Sequence, residues 1–555
     1  MRRWTLTVLG LALLGGGAAA QNETDAPDAI ARELRADLIL RALVDELERS
    51  SAELKLAEFD RPYFIEYGLT DLVQAAAQAE LGALTSSNQG RSRPYYTDVR
   101  VGSYELDNSN FGGGYGGYYG ELSASVPIED DYQAIRQAFW WTTDRDYKGV
   151  VETLARKKAL MESKLITDKP PDFSRELPVR HLEPRLAPEL DLAALEELAT
   201  ALSAVFRDYP DVQRSFVGVS AWGGNKYMIN TEGTRLRTAV QRCSLSIGAM
   251  VQADDGMPLG DSLTLNAATL AELPPRAELE QRCRKFAEQL IAVKNAPLLE
   301  SYSGPVLFEP KAAAELFAAW YTDNFSGGQR PLGSGTSPDD FVNKLNKRIL
   351  PRFLDVLDDP SQREIAGVPA LGHYRYDDQG VSAQAVTLVE DGRLKNLLMS
   401  RLPSKEFPRS NGHGRGSFGG ARAEVGCLLV KPDPGVDAAG LRQELLEAAS
   451  DEGLEFAIRI AALGGGNTPL LMYKVYADGR EELVRGAEIA DIDLKTFKRM
   501  LAAGDTLYVH NTGGLTAQTV AAPAMLFEEL DLAKVDRDFD KPPILPSPLT
   551  RSTTP

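Results

Sequence analysis

The chain is poor in the side chains from which most hydrolytic and metal sites are built. Four histidines (His181, His373, His413, His510) and three cysteines (Cys243, Cys283, Cys427) are spread over 555 residues. No C-x-x-C pair occurs, so the usual structural zinc spacings are missing. A Ser-His-acid triad is excluded on pattern: "GVSAW" around Ser220 carries Trp222 where the second glycine of a G-x-S-x-G elbow belongs. Cys243, on an expected strand, and Cys283, on an expected helix, could pair in an oxidising compartment, three buried thiols being the other reading. Positive charge is also short. Lys and Arg number 61 against 79 Asp and Glu, a formal net charge of −18. That excludes a general nucleic-acid binder, which needs a basic face, and serves solubility instead. After the first residues, no apolar run is long enough to span a bilayer.

What is present begins at the N-terminus. "MRRWTLTVLGLALLGGGAAAQ" joins two arginines, an apolar run from Trp4 to Leu14 and small residues, with Ala18 and Ala20 in an A-x-A pattern before Gln21. This reads as a signal peptide over residues 1–20, cleaved after Ala20, and places the mature chain in the periplasm or outside the cell with no membrane span. Helical periodicity then predicts one long amphipathic helix over residues 26–55, with Leu40, Leu43, Val44 and Leu47 on its apolar face. Strands are expected around "RPYFIEYGLTD" and on both sides of a polar turn at Ser87–Arg93. The glycine-tyrosine segment Phe111–Gly120 is expected to be a surface loop. Further helices are expected over 131–165, 191–206 and 276–296, and a run of antiparallel strands between Arg214 and Gly256.

The second half is expected to be richer in strands, with helices near Phe341–Leu350, Ala438–Ser450 and Leu494–Ala503 and strands at "ALGHYRYDDQG", "SAQAVTLVEDGRLKNLLMS" and "EVGCLLVKP". The reading is α+β in two parts. An N-terminal mixed domain covers 26–299, a β-rich and largely antiparallel C-terminal domain covers 300–537, and a Pro-rich tail covers 538–555.

Three stretches of the second half carry the functional argument. "GPVLFEPKAAAELFAAW", Gly304–Trp320, runs a short strand into a helix with Pro310 at the first helical position. A helix start is a common place for chemistry because its N–H groups are free, yet the titratable groups here are Glu309, Lys311 and Glu315 alone. "RSNGHGRGSFGGARAEV" contains a formal G-x-G-x-x-G, but it leads into a strand and not a helix, so a dinucleotide site is rejected. Its His413, Arg415 and Arg422 among glycines could instead meet a carboxylate. "LGGGNTP", with Gly464, Gly465 and Gly466, ends a strand in a tight turn or a close backbone approach.

In order and spacing, these stretches together with "WWTTDRDYKGVVETLARKKA", "MINTEGTRLR" and "LVRGAEIADIDLKTFKRMLAAG" resemble the TldD/PmbA (TldD/TldE) family of metallopeptidases, historically called modulators of DNA gyrase. The resemblance covers most of the mature chain and implies the two-domain fold of that family. In its catalytic subunits a His-Glu-x-x-x-His motif and a distant Cys before glycines hold one metal, with the Glu as general base. Laid on this sequence, the metal positions are Phe308, Ala313 and Leu463, and the Glu falls on Glu309. The three apolar side chains offer a cation no lone pair. What the resemblance implies is a TldE/PmbA-like subunit with no metal and no cofactor. It would bind peptide by strand addition, near His413, Arg415 and Gly464–Gly466, and form a homodimer or pair with a TldD-like subunit. An active zinc enzyme with relocated donors (Cys427, His413, Glu309, Glu315) and a stand-alone exported peptide-binding or scaffold protein are the alternatives.

Overall fold

The structure, a computed structural model, describes residues 27–112, 125–333, 341–417, 419–464, 468–490 and 492–550. The expected signal peptide, most of the Phe111–Gly120 loop and two of the three glycines at 464–466 lie outside the described residues.

Two large sheets organise the chain. The first is built on three long antiparallel strands, β1 (Phe64–Glu80), β5 (Arg214–Asn230) and β6 (Arg235–Gln252). Shorter strands share their edges: β2 (Ala83–Ser92) and β3 (Tyr95–Arg100) both pair with β1, while β4 (Arg180–Leu182) and β7 (Pro258–Ala267) both pair with β6. Helices α1 (Pro27–Ala36), α2 (Leu38–Glu53) and α3 (Tyr132–Ser163) lie toward one end of this sheet, and α4 (Leu192–Ala204) and α5 (Arg276–Asn295) toward the other. Two apolar cores result, one around Leu40, Leu43, Tyr67 and Phe139, the other around Phe206, Leu245, Cys283 and Leu290.

The second sheet has eleven strands. At its centre run β8 (Ser301–Phe308), the Thr519–Lys534 strand and the Phe456–Leu463 strand. Its pairings are antiparallel except β8 with Phe456–Leu463 and Cys427–Pro432 with Thr519–Lys534. Helix α6 (Pro310–Tyr321) covers one face through Ala313, Leu316 and Phe317. Helix α7 (Ala438–Asp451) covers the other through Leu441 and Leu445. The α+β class, with antiparallel sheets, is as expected.

The departures from expectation have local causes. The long first helix is broken at Asp37. That carboxylate caps α2 by accepting from the Leu40 N–H at 3.1 Å, and its other oxygen takes the Tyr227 hydroxyl at 2.8 Å and Arg237 at 2.7 Å. A buried acid with partners on a neighbouring sheet outweighs helix continuity. The polar stretch Ser87–Arg93 is mostly strand β2, not a turn, because an edge strand exposed on both faces needs no apolar alternation. The reversal falls at Leu81–Gly82, both with positive φ. "ALGHYRYDDQG" is a series of turns held by hydrogen bonds to Asp377, not a strand. A 3-10 turn at Phe341–Lys344 stands where a helix to Leu350 was expected. Helix α8 (Leu494–Lys498) stops short of Ala503, since Met500–Asn511 pairs with Thr519–Lys534. All three cysteines are free and buried. Burial raises the thiol pKa of Cys243 to about 11 and of Cys283 to about 12.

Candidate functional site

The strand-to-helix junction is built as its sequence suggests. Phe308 ends β8 between Met525 and Ile460, and Pro310 is the first residue of α6. Glu309 occupies the N-cap position without a side-chain cap. Its N–H donates to Ile460 O at 2.9 Å, and its carbonyl accepts from the Ala313 N–H at 2.8 Å. Phe308 and Ala313 are 0 % exposed and Leu463 is 7 % exposed, all within the core under α6. The Phe308 ring stands edge-on to Phe527 at 5.3 Å. The space where a cation would need three donors is therefore filled with hydrocarbon, and these residues do not fit a metal.

Glu309 faces elsewhere. It forms an ion pair with Arg459, which also pairs with Glu481 and stacks on Tyr473 at 4.3 Å. Side chains alternate along the Phe456–Leu463 strand. Ile458 and Ile460 belong to the α6 core, so Arg459 lies on the α7 side with Leu307 and Leu441, lining a cavity of about 370 Å³ with Glu309. Glu309 thus turns away from the three apolar positions.

A polar cluster does lie beside α6, joining Lys311 and Glu315 to Asp261, Tyr508 and His510, to which the sequence reading gave no role. Lys311 and Glu315, one turn apart, are 3.8 Å from each other. They interact electrostatically with Asp261 of β7 and with Tyr508 and His510 of the Met500–Asn511 strand. Burial raises the Glu315 and Asp261 pKa values, with Lys311 opposing in both. Burial and the Lys311 charge together lower that of His510. Gly464 lies near β7: a Cβ there would stand 3.9 Å from Gly260 O, an ordinary contact distance. Among the described residues β7 pairs only with β6, so its other edge is unpaired. The signal that could have found this cluster is the i, i+4 pair Lys311–Glu315 on an otherwise apolar helix.

His413 and Arg415 are not open to a ligand as expected. His413 is 0 % exposed, with Nε2 3.1 Å from Asp358 Oδ1 and Nδ1 3.0 Å from Asn411 O. Asp358 also accepts from the N–H groups of Gly426 and Cys427. Arg415 lies over the Tyr374 ring at 4.2 Å and donates to Asp378 at 3.1 Å. Burial pushes the Asp378 carboxyl pKa up, but Lys226 and Arg415 outweigh it and hold it below its ordinary value. His413 thus ties the loop to the second sheet, and Arg415 ties it to the turns around Asp378. The four relocated donors do not meet either. The Cys427 thiol faces Gln362 O at 3.8 Å, while Glu309 is held by Arg459 and Glu315 lies beside Lys311. No three His, Cys, Asp or Glu side chains among the described residues converge on a possible metal position.

The seam between the two sheets is densely charged. Arg401, 1 % exposed, makes paired hydrogen bonds of 2.7 Å to Glu232 and two more to Ser174 O. Lys226 of β5 pairs with Asp378.

Comparison with known proteins matches this architecture. Residues 301–534 match the PmbA/TldA metallopeptidase C-terminal domain and residues 185–290 its central domain. The chain belongs to the PmbA/TldD family. A metalloprotease of Methanocaldococcus jannaschii is 24% identical over 210 residues, which is 37% of this chain and 44% of the relative. One from Archaeoglobus fulgidus is 33% identical over 72 residues, 13% of this chain and 16% of the relative. The matched stretch thus spans less than half the length of these relatives. Among solved structures, TldE from Thermococcus kodakarensis superposes with a TM-score of 0.58 at 14% identity, covering 89% of this chain and 100% of that one. A modulator of DNA gyrase from Thermotoga maritima gives 0.55 at 16% identity, over 85% and 96%. These two likenesses concern the fold.

Proposed function

We propose that this chain is an exported, metal-free, peptide-binding member of its family, acting in proteolysis or peptide processing beside a catalytic homologue that carries the His-Glu-x-x-x-His motif. The observation that carries this reading is the burial of Phe308, Ala313 and Leu463 in one apolar core. Replacing three ligands together removes the coordination sphere, and the space closes around the replacements. In this reading the chain supplies a free strand edge instead of a reaction. The unpaired edge of β7 offers alternating N–H and C=O groups to an extended peptide. Asp261 on that strand, with Lys311 and Glu315 interacting beside it, brings charges of both signs near the edge, which suits a polar main chain and selects weakly among side chains.

The test is metal content per chain after soaking the mature protein in zinc and desalting. Near-zero metal is expected, whereas close to one tightly held ion per chain overturns the reading. Co-expression with a motif-bearing homologue should then give a stable complex that cuts peptides, while the chain alone does not.

A further inference from the structure

A cavity of about 440 Å³ lies in the seam between the sheets, apart from the Lys311–Glu315 cluster. One wall is β1 and β3, with Glu66, Tyr96 and Asp98. The other comes from the second half, with Asp378, Gln379 and the glycine-rich segment that includes Gly419. Two glycines shape it. A Cβ at Gly68 would stand 1.9 Å from the Tyr96 ring, and one at Gly419 would stand 2.9 Å from it. Backbone from both halves therefore clamps this ring, which places its hydroxyl 3.2 Å from Glu66 Oε1 as a donor. Asn230 donates to Glu66 Oε2 at 3.4 Å.

Both of those donors are neutral, whereas the other acids of the cavity have cations. Asp98 holds Arg100 at 2.8 Å, Asp378 holds Lys226 and Arg415, and Asp172 holds Lys157 at 2.6 Å and Lys169 at 3.0 Å. Arg100 is shared further with Asp107. Arg401, the cation whose field reaches Glu66, is committed to Glu232. Arg330 and Arg422 line the cavity from exposed positions, where salt screens them. Glu66, 7 % exposed, has no ion pair of its own among the described residues. Its carboxyl pKa is accordingly pushed up to about 8, by burial first and then by the like charge of Asp98, with Arg401, Asn230 and Tyr96 opposing.

We propose that this cavity binds a small organic cation, an ammonium or guanidinium group, which forms an ion pair with Glu66 and displaces its proton to solvent. A volume of this size suits a group about as large as one long side chain with a few waters. A bound cation supplies the one partner this carboxyl lacks, and its charge compensates the ionisation that burial otherwise opposes. The cation is either a free small amine or a basic group on a peptide. The inference stands whether or not the chain binds a metal.

The experiment is calorimetric titration of the mature chain at pH 7 with n-butylammonium and with a capped hexapeptide containing one lysine, in two buffers of different protonation enthalpy. Saturable binding at one site with release of close to one proton is expected. Glu66→Gln should weaken it about tenfold or more and abolish proton release. Leu402→Trp, which fills the cavity and leaves Glu66 in place, should weaken it as much, so the test stands even if Glu66→Gln fails to fold. Thermal unfolding checks that each variant is intact. Tighter binding of the peptide identifies a peptide as the source of the cation, and equal binding identifies a free amine. No saturation with either probe, binding without proton release, or binding unchanged in a folded Leu402→Trp overturns the proposal.

Discussion

The entrance to α6 and the seam between the sheets are both buried, and they are buried by opposite means. At the α6 entrance, Phe308, Ala313 and Leu463 exclude water with hydrocarbon and leave no donor behind. In the seam, Arg401, Glu232, Lys226 and Asp378 exclude water while matching charge with charge. The contrast shows where chemistry can persist. An apolar junction offers no donor, whereas a charged seam with one unmatched acid keeps a group that can change its protonation state.

The largest effect should come from breaking the apolar side. Phe308→Ala removes a fully buried ring between Met525 and Ile460 and opens a cavity, a change that costs about 3–5 kcal/mol. Urea unfolding should show a lower midpoint with an unchanged slope. A loss under about 1 kcal/mol would mean that the space is plastic, and that the junction could reorganise around a bound group after all.

Next comes the charged side. Arg401→Ala deletes four hydrogen bonds to Ser174 and Glu232 and leaves a carboxylate facing the seam. Removing one partner of a buried pair costs about 3 kcal/mol. Because the bonds cross from one half to the other, proteolysis near residues 170–176 should also accelerate. Unchanged proteolysis with lowered stability would place the damage within the second half alone.

The unmatched acid gives a pH signature. The Glu66 pKa is raised to about 8 and that of Asp377, mostly by its burial, to about 7. A carboxyl with a raised folded pKa keeps its proton in the native state after the unfolded chain has lost it. Its stability contribution is complete below the unfolded value and falls as pH rises through the folded value. Stability should therefore decline from about pH 5 to about pH 8. Glu66→Gln should flatten the upper part of that decline, by on the order of 2 kcal/mol between about pH 6 and about pH 8. Denaturant midpoints across that range would show it, and a parallel decline in wild type and variant would contradict it.

Part of this contrast is legible in the sequence. Apolar residues at 308, 313 and 463 are visible once the strand-to-helix run and the glycine run are placed, because local pattern sets both elements. The charged seam is not. Arg401 and Glu232 are 169 residues apart, Lys226 and Asp378 are 152 apart, and pairing at that distance leaves no periodic trace. A glycine-rich loop with basic residues suits a carboxylate, and on that pattern alone His413 and Arg415 could meet a ligand. Here the carboxylates are the chain's own Asp358 and Asp378. Asp37 was hidden for the same reason, since its helix-breaking role depends on Tyr227 and Arg237 of the sheet.

The smallest expected effect concerns the residue that most resembles a catalytic one. Glu309 stands where a general base would stand beside a metal, yet its carboxylate is about two-fifths exposed and pairs with Arg459 on the α7 side of the sheet. An ion pair open to solvent contributes about 0–1 kcal/mol, and Arg459 keeps Glu481 as a second partner. Glu309→Gln should therefore shift stability by less than about 1 kcal/mol. It should leave peptide cutting by any complex with a catalytic homologue at the wild-type rate, because the side chain pairs with Arg459 on the α7 side, away from the core that holds Phe308, Ala313 and Leu463. A large fall in that rate, with stability unchanged, would return Glu309 to the reaction. The apolar junction would then be a resting arrangement that opens when a partner binds, and the division between a silent entrance and a charged seam would no longer hold.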